Sequence, residues 1–152
     1  MHFSIRNVTA VLMSLFFWVS SHSGPLTAPV KGELTPVELE FYGAMATYNS
    51  YVGTQPEQIR NMIELTIIRV ERSRKMVSNS GGTNALKKEI GQAHTMLLSY
   101  RHRSRSEKLM SENHLSASQR ELRTACSYAQ EVPNLIEPWF LQLCKKSAQK
   151  HT

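Results

Sequence analysis

The sequence predicts an all-α fold: a small bundle of four or five helices whose last two form a hairpin stapled by one disulfide. Three observations predict it. Beyond residue 35 the apolar side chains recur at spacings of three and four, without the alternation of strands. Capping residues and Gly, Pro or Asn breaks punctuate those stripes. The acidic residues are all Glu, with no Asp, which suits helix interiors.

The N-terminus reads as a secretory signal peptide over residues 1–23. Met1 to Asn7 carries Arg6 and no acid, Val8 to Val19 is densely apolar, and small or polar residues run from Ser20 to Pro25. Cleavage after Ser23, with Ser21 as the near alternative, places small side chains where the peptidase needs them. A membrane anchor fits poorly, because a span takes about 20 apolar residues and this run is halted by Gly24, Pro25 and Pro29. Residues 24–34, with no periodic pattern, read as an extended arm. Residues 35–152 then form a single helical domain.

The first helix starts at Thr35 as N-cap, with Pro36 at the first helical position and Glu38 completing a capping box. Val37, Phe41, Ala44 and Tyr48 form its stripe, and Gly53 ends it. Thr54, Pro56 and Glu57 signal the second helix. Its stripe of Ile59, Met62, Ile63, Ile67, Val70 and Val77 breaks at Asn79-Ser80-Gly81-Gly82. Thr83 or Asn84 caps the third helix, which carries Leu86, Ile90, Ala93, Leu97 and Tyr100. That pattern fades through Arg101–Ser106, so residues 84–113 read as one long helix or as two pieces. Ser116 or Ser118 caps the next segment, to about Glu131, and Pro133-Asn134 makes a turn. A last amphipathic stretch runs from Pro138 through Cys144, with a fraying tail over Lys145–Thr152.

Cys126 and Cys144 are the two cysteines, nine residues either side of Leu135. In a helical hairpin turning there they face each other, so a structural disulfide is expected. Cys-x-x-Cys, the spacing of a redox dithiol, is absent.

Charge divides the chain. Residues 24–68 hold two basic and five acidic side chains, whereas residues 69–152 hold fifteen and seven. The densest basic stretch is Arg101, Arg103, Arg105 and Lys108, a candidate patch for an acidic partner. Its bland reading is a solvated helix end. Nucleic acid fits poorly as a partner: export removes the chain from it, and no stacking aromatics are interleaved beyond Tyr100. Anionic lipid is the remaining non-protein candidate.

Motifs for hydrolytic nucleophiles, zinc peptidases and phosphate loops are missing. Glu38, Glu40, Glu64 and Glu71 are weighed as glycosidic carboxylates, but Glu64 and Glu71 sit on a charged helix face. His94 and His102 are eight apart, where a helical metal pair needs three or four. No catalytic, cofactor or metal-binding residue is therefore expected. Phe41, Tyr42, Tyr48 and Tyr51, with Trp139 and Phe140, read as core by default; Trp139, if exposed, marks a binding patch.

The expectation is an exported, non-enzymatic protein, periplasmic or extracellular, that binds another protein. By fold-level analogy it is a cell-envelope accessory, assembly or inhibitor/immunity protein. The alternatives are a secreted, cytokine-like signalling ligand, or a cationic protein acting on anionic membranes.

Overall fold

Five of the start-and-stop patterns in the chain become five α-helices: α1 Pro36–Asn49, α2 Pro56–Ser80, α3 Asn84–Ser111, α4 Leu115–Glu131 and α5 Pro138–Gln149. A 3-10 turn, Pro133–Leu135, joins the last two, and no strand occurs among the described residues. The computed structural model describes residues 33–149; the predicted signal peptide, 1–23, and most of the predicted arm, 24–34, lie outside them.

The helix ends show where local signals suffice. Thr83 is the N-cap of α3, its hydroxyl accepting a hydrogen bond from the Leu86 amide at 3.2 Å. Gly81 ends α2 in the left-handed conformation, φ 72°, which favours a residue without Cβ. Other ends differ from the sequence reading. α1 stops at Asn49, short of Gly53, and its last turn is closed by Ser50 and Tyr51 amides on the Ala46 and Tyr48 carbonyls. Gly53 instead makes room for a side chain, because the Tyr51 ring occupies the space where a Cβ would stand. Gln55, not Thr54, is the N-cap of α2, with Pro56 as its first residue. Neither Ser116 nor Ser118 caps α4, because the helix already begins at Leu115 behind His114. The tail also departs from expectation, for α5 continues through Lys145 to Gln149.

Contacts between helices set the topology. α1 packs on α2, α2 on α3, α3 on α4 and α4 on α5. Ser99 with Ala125, His102 with Glu121 and Ser106 with Ser118 pair by stepping up α3 while stepping down α4, which makes those helices antiparallel. α2 and α3 show the same opposed register, from Glu71 with His94 to Glu64 with Arg105. α1 runs beside α3 in the same direction, with Tyr42 reaching Glu89 and Tyr48 stacking on Tyr100. The core is shared by all five helices: Phe41, Ile67, Val70, Ile90, Leu97, Ala125, Ala129 and Phe140 are each almost wholly buried.

α3 is one 28-residue helix, so residues 84–111 form a single element rather than two pieces. Its inward positions past Tyr100 are serines, continuing from Ser99. Ser99 donates to the Ala125 carbonyl at 2.9 Å, Ser106 donates to the Ser118 carbonyl at 2.9 Å, and Ser118 donates back to Ser106 at 2.8 Å. Small side chains let the two backbones approach, and each of these hydroxyls finds a carbonyl partner. The apolar stripe fades there because contact is made through small polar groups, not because the helix ends.

The predicted hairpin disulfide is present. Cys126 on α4 and Cys144 on α5 are bonded, with Cα atoms 5.3 Å apart, and both are buried.

Candidate binding surface on the last helix

The basic stretch at the end of α3 faces inward electrostatically. Arg105 and Arg101 both reach Glu64 on α2, at 3.1 and 3.6 Å. Arg103 pairs with Glu107 at 3.0 Å, one helical turn on, and Lys108 with Glu112 at 4.0 Å. His102, between them, contacts Glu121 on α4 at 2.6 Å and stacks on Tyr128. Each of the four candidate cations therefore has a carboxylate within ion-pair distance, with Glu64 shared by Arg101 and Arg105.

The weighed carboxylates are engaged in the same way. Glu64 lies between Arg101 and Arg105, Glu71 contacts His94 at 3.3 Å, and Glu40 receives Arg69 and Arg72. His94 and His102 turn to different neighbours, α2 and α4, so they share no site. Burial holds the His94 imidazole below its usual pKa, with the cations Arg74 and Arg101 adding to the effect against Glu71. Among the described residues no three His, Cys or Glu side chains are placed to hold a metal ion.

Tyr42 and Tyr100 link elements through their hydroxyls. Burial pushes the Tyr42 phenol well up, and it donates to Glu89 at 3.0 Å; burial raises Glu89 too. Tyr48 is pushed up to about 12 by burial, with Glu137 contributing. Tyr100 is raised by burial and then by Glu137, to which it donates at 2.8 Å. These are protonated phenols at neutral pH. Through Tyr100 the aromatic end of α1 connects to the start of α5.

Trp139 is where two sequence candidates meet. It sits in the first turn of α5 with 51% of its surface exposed, while its neighbour Phe140 is fully buried. The Arg103 guanidinium lies 4.4 Å from the centre of the Trp139 ring and 5.3 Å from that of Phe140. Arg103 thus acts as a clamp, held by Glu107 on one side and resting on the indole. Leu143, one turn beyond Trp139, is also exposed, at 41%.

Exposed cations that make no ion pair among the described residues include Lys75 on α2, Lys87 and Lys88 on α3, and four on the last two helices: Arg120 and Arg123 on α4, and Lys145 and Lys146 on α5. The signal of these last four in the sequence is the scarcity of Glu within three or four positions of them, which only Glu121 offsets, and His102 takes Glu121. No protein-family model, curated protein or solved structure matches this chain.

Proposed function

We propose that this chain is exported and works without catalysis, by binding another protein, as a cell-envelope accessory, assembly or inhibitor protein. One observation carries the reading. Trp139 stands half exposed on a short helix that a disulfide ties to the bundle, and Arg103 and Phe140 restrict its ring. A large aromatic already held in place loses little freedom when a partner covers it, and such residues dominate binding energy at protein interfaces. The disulfide suits an oxidising compartment, and among the described residues no helix is long and apolar enough to cross a membrane.

Amine-reactive crosslinking of the tagged chain in the cells that make it, followed by mass spectrometry, tests the proposal. A single stoichiometric protein joined through Lys75, Lys87, Lys108 or Lys145 supports it. Recovery of lipid or polyanion alone, collapsing at high salt, overturns it in favour of the cationic membrane-active reading. N-terminal sequencing of the released protein, starting at Gly24 or His22, tests export.

A further inference from the structure

α5 presents two kinds of side chain to solvent. Trp139 and Leu143 lie one turn apart and are the exposed large apolar residues of this helix. Gln142, Lys145 and Lys146 complete its exposed positions with described side chains after Trp139, and the helix carries no acid. Across the disulfide, Arg123 stands one helical turn before Cys126, while Lys145 directly follows Cys144. Arg123, Lys145 and Lys146 have no carboxylate partner among the described residues, unlike the cations at the end of α3. Nearby acids are withdrawn: Glu121 is taken by His102 and Glu137 by Tyr100. Glu131, the other acid of α4, is exposed at the end of that helix beside the hairpin turn, about two turns beyond Arg123 and Lys145.

We propose that the outward face of α5 docks an acidic segment of a partner protein, with Trp139 and Leu143 as its apolar contact and Lys145, Lys146 and Arg123 meeting its carboxylates. The inference rests on the protein-binding reading and supplies the chemistry of the partner. Charge complementarity selects the occupant: an apolar pair bordered by unmatched cations favours apolar residues flanked by Glu or Asp and repels a basic surface. A lipid surface fits less well. An interfacial helix inserts a broad apolar face, and here Phe140 and Cys144 are turned into the core, leaving two large apolar side chains outside.

A photo-reactive amino acid placed at Leu143 of the full chain, in the cells that make it, tests this surface. The same group placed at exposed Asn79, near the end of α2, is the comparison. The expected result is an adduct at Leu143 whose crosslinked peptide is a protein segment with an excess of Glu and Asp. The adduct yield falls about tenfold or more in Trp139→Ala. It falls also in the Lys145→Glu, Lys146→Glu double variant, by a factor that shrinks as salt rises. Unchanged unfolding temperatures of the variants separate lost binding from lost folding.

Each other outcome counts against the proposal in a distinct way. A neutral or basic peptide at Leu143, indifferent to the lysine reversals, overturns the acidic chemistry and leaves protein binding standing. Protein adducts at Asn79 and none at Leu143 move the interface off α5. Lipid adducts alone, with binding of the purified chain to vesicles of phosphatidylglycerol and phosphatidylcholine but not phosphatidylcholine alone, overturn both readings. No adduct at either position overturns the α5 surface.

Discussion

The Arg103 guanidinium lies 4.4 Å above the ring of Trp139, joining the basic end of α3 to the exposed aromatic of α5. The two residues are far apart in the chain, so nothing local announces the pair. Its consequence is that a side chain able to bind acids instead supports an indole. The contact is worth about 0.5–1 kcal/mol at a partly exposed site.

A chain of residues 24–152 lets this contact be measured directly. Of the two tryptophans, Trp18 belongs to the predicted signal peptide, which leaves Trp139 as the fluorophore in residues 24–152. Arg103→Ala is expected to raise acrylamide quenching of Trp139 and to lower stability by about 1 kcal/mol. Equal quenching in both proteins rules out the clamp.

The Cys126–Cys144 bond closes a short loop between two helices that otherwise share modest contact. Cys126→Ser with Cys144→Ser is expected to lower unfolding free energy by about 3 kcal/mol on the loop-closure model. Thermal unfolding then falls by roughly 10–15 °C. A loss below about 1 kcal/mol shows that packing of Phe140 alone holds α5 in place.

The reciprocal Ser106–Ser118 pair is buried, and each hydroxyl donates to the other residue's carbonyl. Ser118→Ala is expected to destabilise the fold by about 1–2 kcal/mol. Ser106→Leu, which forces α3 and α4 apart, costs more, about 3 kcal/mol or beyond. The Ala double variant falls short of the sum of the singles, since both remove parts of one network. Strict additivity in a double-mutant cycle contradicts the coupling.

His94 gives a pH dependence whose sign follows from its environment. Burial lowers its pKa in the folded protein below the usual 6.5, so the unfolded chain binds the proton more readily. Its neutral form is fully compatible with the fold above pH 6.5, and stability is lost as pH falls through 6.5 towards the folded value. His94→Gln removes that loss. Denaturant titrations at about pH 7.5 and 5.5, either side of the histidine range, check it. The variant changes less than the natural protein between the two, and an equal change in both refutes the assignment. Glu89, raised by burial, acts in the opposite direction on acidification and is common to both proteins.

Much of the helical plan is legible along the chain. Thr83 as a cap, Gly81 as a stop, Pro56 and Pro138 as first residues and most of the inward faces of α1 and α2 follow from neighbours within a turn, although Ile59, on the α2 stripe by its spacing, is exposed. So does the disulfide, once two helices are known to fold back about Leu135. The misreadings share a cause. Ser118 resembles a cap because hydroxyls favour helix starts, yet across the bundle it meets Ser106. The serines of α3 resemble a break because periodicity is judged by apolarity, whereas close helix packing asks for small size.

Spacing, capping and the absence of other thiols suffice for the all-helical class, for most helix boundaries to within a few residues and for the Cys126–Cys144 staple. Which charges are matched, and which side chains remain outside, depends on the packed bundle. Glu64, on another helix, is shared by Arg101 and Arg105, Arg103 settles on Trp139, and Lys145, Lys146 and Arg123 stay without an ion pair among the described residues. Ion pairing and exposure depend on the register between helices, and register is set by how whole faces pack rather than by any residue's neighbours in the chain.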